Sequence, residues 1–149
     1  MQKPRSHSLR KGRVSISNQI YLVTFVTERR QRIFSDLWCS RIVINTLRHE
    51  SKAKTLAFVI MPDHVHWLMQ LSENSTLSAA VQSVKSVSAH LLCGHFKCNG
   101  KIWQPGFHDH ALRRSEEIKN AAHYIISNPI RAGLAKTVKE YSHWDAIWI

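Results

Sequence analysis

Apolar residues along the chain fall into alternating strand-like and helix-like stretches, and their order is the first guide to the fold. Gln19 to Thr27 (QIYLVTFVT) is rich in β-branched and aromatic residues and predicts a first strand. Glu28 to Arg32 is a polar, basic break. Ser35 or Asp36 can cap a helix running to about Glu50, with Leu37, Val43, Ile44 and Leu47 on its buried face. Lys52 to Ile60 predicts a second strand and Asp63 to Leu71 a third. Pro62 between them cannot donate a ladder hydrogen bond, so a tight reversal or bulge is expected there. After the polar loop Ser72 to Thr76, Leu77, Ala80, Val81, Val84, Val87, Leu91 and Leu92 recur at three- and four-residue steps and predict an amphipathic helix. Cys98 to Gly100 is a turn, and Lys101 to Leu112 a short hairpin-like segment around Pro105-Gly106. Ser115, Glu116 and Glu117 open a late helix, with acids where the macrodipole favours them. It runs to about Ser127, because Asn128 precedes Pro129. Lys136 to Ile149 is a tail whose Tyr141, Trp144 and Trp148 are expected to pack on the domain.

This order, strand–helix–strand–strand–helix–strand and then a late helix, fits one α+β domain over residues 1–149. The expected architecture is a ferredoxin-like antiparallel sheet with helices packed on one face.

Within the third strand the pattern is broken by His64 and His66. Side chains alternate along a strand, so these two imidazoles share a face while Val65 and Trp67 take the other. Two histidines at this spacing are more often structural or incidental than ligands; as ligands they make half of a metal site and need a third oxygen or nitrogen ligand to complete it. The late helix offers Asn128, four residues beyond Tyr124 and so on the same helical face. A tyrosine beside a metal that holds a phosphate is a usable nucleophile; away from one it is a core residue with a satisfied hydroxyl.

Charge changes the picture further. Lys and Arg number 21 against 10 Asp and Glu, a formal charge of +11 and a pI of about 10.1, as in a nucleic-acid binder. Eight of the basic side chains and only one acid, Glu28, lie in residues 1–32. Residues 1–18 therefore read as a basic arm that contacts phosphates through Arg5, Arg10 and Arg13, with Arg29 and Arg30 beyond it, the alternative being a solvated tail and a basic surface. No apolar run reaches the roughly 18 residues needed to span a bilayer, and the basic N-terminus lacks a leader's apolar core, so no membrane is expected. Three cysteines (Cys39, Cys93, Cys98) are an odd count and point to reducing cytosol. A competing zinc site would draw on Cys93, Cys98, His95, His108 and His110, at loose finger spacing.

Three blocks, MPDHVHWLM, WQPGFHDHALRRSEE and HYIISNPIRAGL, together resemble the IS200-type single-tyrosine transposases, and more closely the REP-associated tyrosine transposases. The similarity runs from about Tyr21 to Tyr141. His64-Val65-His66 matches the family's HUH motif (His, bulky hydrophobic, His), and Tyr124 falls where the family has its nucleophile. The resemblance implies that His64 and His66 hold Mg²⁺ or Mn²⁺ and that Tyr124 attacks a phosphodiester, leaving a 5′-phosphotyrosine link and a free 3′-hydroxyl. In IS200-type relatives a glutamine one turn past the tyrosine completes the metal shell; here Asn128, a shorter amide, stands at that position. His123 points about 100° away from Tyr124 and is the poorer ligand.

The implied substrate is single-stranded DNA beside imperfect palindromic hairpins. Trp103 and His108, with Arg113 and Arg114, are candidate DNA contacts and Phe107 a further stacking candidate, the alternative for Trp103 and Phe107 being ordinary core residues. The expected cell site is the cytoplasm, associated with the nucleoid. IS200-type relatives work as dimers that exchange tyrosine helices; the closer resemblance implies a monomer, a homodimer being the alternative. Two rival functions keep the fold: a non-catalytic hairpin-binding regulator, and a metal-dependent nuclease in which water attacks.

Overall fold

A computed structural model describes residues 16, 18–96, 98, 100–141 and 143–146. Its elements are β1 (Ile20–Val26), α1 (Leu37–Arg48), β2 (Ala53–Met61), β3 (His64–Leu71), α2 (Leu77–His95), β4 (His108–Leu112), α3 (Ser115–Ile126), α4 (Asn128–Arg131) and β5 (Trp144–Ala146). The sheet order is β4-β1-β3-β2-β5 and every pairing is antiparallel. Its first four strands have the ferredoxin-like arrangement expected of a βαββαβ chain, and β5 adds a short outer strand.

Alternation along the central strands feeds two apolar layers. Val23, Phe25, Val65, Trp67 and Met69 face α1 and α2, and meet Val43, Leu47, Val81, Val84 and Leu92. Leu68, Val59 and Met61 face the other way and meet Ala121, Ala122, Ile125 and Ile126 of α3. The two long helices thus share one face and the late helix covers the opposite one. A bulge between Thr55 and Ala57 leaves Leu56 and Ala57 both in the second layer. β2 is covered on both sides, which explains its unbroken apolar run.

Asp36 caps α1 by accepting from the amides of Trp38 and Cys39, and Thr76 caps α2 through Ala79. The helix faces differ in detail from the periodic reading. Leu37, at the first position of α1, is exposed, and Cys39 turns inward. In α2, Val87 and Leu91 are 46% and 47% exposed, while Lys85 and Ser88 are buried. At 100° per residue the inward line runs through 77, 81, 84, 88 and 92, which rotates 87 and 91 outward.

Lys101 to Leu112 does not pair with itself as a hairpin. Both halves attach to the same neighbour: Trp103 bridges Thr27, and β4 pairs with Ile20 to Thr24. Lys85, buried in α2, donates to the carbonyls of Gln104 and Gly106 and holds the Pro105-Gly106 turn between those halves. The tail packs as expected at Tyr141, whose hydroxyl donates to Ile60 O (2.6 Å), and at Trp144, whose ring nitrogen donates to Val138 O (2.8 Å). Trp148 lies outside the described residues, as do Arg5, Arg10 and Arg13.

Cys93 and Cys98 are joined in a disulfide. This differs from the free thiols expected of a reducing compartment, and it takes both sulfurs out of the zinc grouping considered from spacing alone. The adjacency of a helix end to a turn, which spacing treats as loose, is what brings the two sulfurs together.

Candidate active site on the second face of the sheet

The His64–His66 pair is positioned by a two-residue reversal. β2 ends at Met61 and β3 starts at His64, with Pro62 and Asp63 between. The carbonyls of this turn are held from outside the hairpin. The amide and hydroxyl of the buried Thr27 both donate to Asp63 O (2.9 and 3.0 Å), and the Phe34 amide donates to Pro62 O (3.0 Å). His64 and His66 then rise on the α3 side of the sheet, their ring centroids 4.9 Å apart and the planes 84° to one another. Val65 and Trp67 are fully buried on the other side.

Each imidazole is oriented by a second group. His64 Nδ1 lies 2.7 Å from Asp63 Oδ1, and His66 Nδ1 lies 2.8 Å from Thr24 Oγ1 on the neighbouring strand. With both Nδ1 atoms engaged, the Nε2 atoms are the ones left for a cation, the usual arrangement behind metal-binding histidines. Burial, then the neighbouring His64 and Arg131, lower the His66 pKa to about 4, so the ring is neutral and its lone pair available at neutral pH. Burial pushes the Asp63 carboxyl up, but His64 and then Arg30, 3.3 Å away, outweigh it and hold the group below the usual carboxylate range.

Tyr124 comes to this pair from α3. Ala121, Ala122, Ile125 and Ile126 bury one side of that helix, which leaves Tyr124 at its edge, 51% exposed. Its ring centroid is 6.2 Å from that of His66. Arg131 reaches back from α4: its guanidinium sits 4.0 Å over the Tyr124 ring and donates to Tyr124 O (2.6 Å) and to Ser127 Oγ. Asn128 does not continue the tyrosine's helix. α3 stops at Ile126, Ser127 is its C-cap, and Asn128 opens the short α4 with Pro129 in its first turn. Asn128 is partly buried and its carbonyl accepts from the Ala132 amide (2.9 Å).

The remaining candidates divide by exposure. His108 is exposed and stands opposite Thr24, which in turn stands opposite His66, so the three share a row on one face of the sheet. Arg113 and Arg114 are exposed where β4 passes into α3, and Arg29 and Arg30 form an exposed turn after β1. Both of the latter have left-handed backbone (φ 56° and 51°), an unusual pair for non-glycine residues at the rim of a site. Trp103 is instead a core residue. It is 6% exposed, contacts Phe25 and Phe34 at 4.8 and 5.4 Å, and donates from its ring nitrogen to Ser88 Oγ (3.0 Å). It offers no face to a base, and Phe107 is buried as well.

Sequence reasoning missed Thr24, Asp63 and Arg131 as members of this site. Thr24 carries no local signal, since only strand pairing brings it to His66. Asp63 read as the first residue of the third strand, whereas it belongs to the reversal before His64. Arg131 lies inside the third block, but its contact with a residue seven positions back depends on the break at Ser127. Among the described residues, no further His, Cys, Asp or Glu joins the histidine pair to form a metal-type trio; the trio of that kind is elsewhere, at Asp36, Cys39 and His95.

Comparison with known proteins bears on the family and fold of this chain. Residues 15–128 match the family described as "Transposase IS200 like". A REP-associated tyrosine transposase of Escherichia coli K12 is 26% identical over 122 residues, 81% of this chain and 71% of that protein. A Haemophilus influenzae protein provisionally named a REP-associated tyrosine transposase is 32% identical over 100 residues, 60% of this chain; the match spans 57% of that relative's length. Among solved structures, a REP-associated tyrosine transposase bound to a REP hairpin superposes with a TM-score of 0.73 and 25% identity, covering 97% of this chain and 82% of that one. A Deinococcus radiodurans protein shares the fold at a TM-score of 0.55 and 22% identity, covering 86% and 97%. The family match spans most of the chain, and the relatives and the solved structure point the same way: the chain belongs to the IS200-like transposase family and is similar to REP-associated tyrosine transposases.

Proposed function

We propose that the protein is a single-strand DNA endonuclease and strand transferase that acts beside palindromic, REP-like hairpins. The observation that carries this reading is the approach of Tyr124 to the oriented His64–His66 pair, from a different element and on one face of the sheet. His64 and His66 would hold Mg²⁺ or Mn²⁺ through Nε2, with Asn128 as the third ligand. The chemistry that a bound divalent ion supplies there is neutralisation of charge on the phosphoryl oxygens. Tyr124 Oη forms a bond to phosphorus, the phosphorus–O3′ bond breaks, the phenolic proton leaves to solvent, and the departing O3′ takes up a proton from solvent. The products are a 5′-phosphotyrosine and a free 3′-hydroxyl, and attack by a 3′-hydroxyl on the link reverses the step without a nucleotide cofactor. Arg131, stacked on the tyrosine ring and bonded to its backbone, orients the nucleophile.

Exposed Arg29, Arg30, Arg113, Arg114 and His108 surround this face and suit a DNA backbone, as do Arg5, Arg10 and Arg13 of the arm. With Tyr124 and the histidines meeting inside one chain, a monomer is sufficient for the chemistry. Labelled hairpin DNA incubated with Mg²⁺ or Mn²⁺ should give a covalent protein–DNA adduct on a denaturing gel, lost in Tyr124→Phe. His64→Ala should abolish cleavage and retain much of the hairpin binding. Cleavage without an adduct, or surviving Tyr124→Phe, would overturn the tyrosine mechanism in favour of attack by water. Binding with no cleavage would identify a regulator.

A further inference from the structure

On the opposite face of the sheet, three side chains that the transposase chemistry does not use converge at the junction of α1 and α2. Asp36 caps α1 and Cys39 lies in its first turn, and His95 is the last residue of α2. One ligand atom from each lies within 4.8 Å of the other two. The carboxylate is divided between two tasks. Its Oδ1 accepts from the amides of Trp38 (2.8 Å) and Cys39 (3.3 Å), while Oδ2 is turned toward His95 Nε2 at 3.7 Å. Cys39 is a free thiol, only 2% exposed. Asp36 and His95 lie at the surface above it, so the cluster opens to solvent on one side.

We infer that Asp36, Cys39 and His95 form a metal site apart from the His64–His66 pair, selective for Zn²⁺ or a chemically similar borderline divalent ion, that clamps the start of α1 to the end of α2. The donor set decides the metal class: one sulfur, one imidazole nitrogen and one carboxylate oxygen suit zinc or cobalt, whereas magnesium and manganese prefer oxygen ligands. The 3.7 Å gap between Oδ2 and Nε2 is a few tenths of an ångström wider than the edge of roughly 3.3–3.5 Å that oxygen and nitrogen ligands span in a zinc tetrahedron. Exposed Asp36 and His95 need only small rotamer changes to close on the sulfur. A water molecule would take the fourth position on the open side. Binding releases the thiol proton to solvent, as thiolate ligation requires. The Cys93–Cys98 disulfide pins the chain beside His95 and keeps those two sulfurs from competing for the ion. The clamp sits two residues from Phe34, whose amide holds the turn before His64, so a loaded site would stiffen the support of the histidine pair.

The test uses the full chain carrying His64→Ala and His66→Ala, in non-reducing buffer, titrated with Co²⁺. One equivalent should produce a near-ultraviolet thiolate-to-cobalt charge-transfer band with strong tetrahedral visible absorption, bleached on adding Zn²⁺. Cys39→Ser should remove the charge-transfer band, and His95→Ala should weaken Co²⁺ binding by about tenfold or more. Cys93→Ser with Cys98→Ser should leave the band in place. Because Cys39→Ser can lower stability on its own, the change in Tm between zinc and chelator is compared within each variant. It should be positive in the parent chain and absent in Cys39→Ser. No charge-transfer band in excess Co²⁺, a band that survives Cys39→Ser, or one that disappears with Cys93 and Cys98 would overturn the inference. None of these readouts depends on DNA cleavage.

Discussion

Thr24 shows how much one hydroxyl can carry. It lies opposite His66 in the β1–β3 ladder and bonds the ring's Nδ1, so it chooses which nitrogen faces the site. Thr24→Val keeps the shape and β propensity of the residue and deletes only that bond. Such partners of metal-binding histidines typically matter by about 10–100-fold in affinity or activity. We expect Mn²⁺ affinity, measured by calorimetry, to fall by that order while the circular dichroism spectrum is unchanged. Trp103 makes the opposite case: its residue type suggested base stacking, but its neighbours make it core. Trp103→Ala should cost roughly 3–5 kcal/mol in urea denaturation, as core aromatic truncations do. Hairpin affinity should be unchanged under conditions where the variant remains folded. A selective loss of DNA binding would return Trp103 to the interface.

The decisive element is α3, because its packing against the sheet places Tyr124. Ala121 and Ala122 are small enough for the helix to lie close against Leu68 and Val59, and that approach sets the distance from Tyr124 to His66. Ala122→Leu should overpack this layer at a cost of about 1–3 kcal/mol. It should also reduce adduct formation more than hairpin binding, since the nucleophile moves while the basic surface does not. Equal losses of both would mean that α3 does not control the reaction. The existence of α3, its acidic first turn and its end near Ser127 were legible in the sequence. Its choice of the second sheet face was not, since one apolar stripe fits either side. The same ambiguity misplaced Val87 and Leu91 in α2, where apolar residues outnumber the positions one face can bury.

At the scale of the whole molecule, the net charge of +11 predicts binding that weakens steeply with salt. A plot of log affinity against log salt should be linear. Arg113→Ala or Arg29→Ala should each reduce its slope by roughly 1, with little change in preference among hairpin sequences. A salt-independent affinity would remove the phosphate-binding role from this surface. Among the described residues, no helix is long and apolar enough to cross a membrane, in keeping with the absence of a spanning run in the sequence.

The sequence by itself determined the alternation that builds the sheet, the order of its elements, the shared face of His64 and His66, and the likeness that singled out Tyr124. These are consequences of local periodicity and of motifs contiguous in the chain, which need no knowledge of distant contacts. Only the tertiary structure decided which groups surround them. Thr24 reaches His66 through strand register, Arg131 reaches Tyr124 across a helix break, Trp103 enters the core, and Cys39 meets His95 over more than fifty residues of intervening chain. Such pairings depend on how the layers close on one another, and side-chain periodicity within one element does not specify its partner.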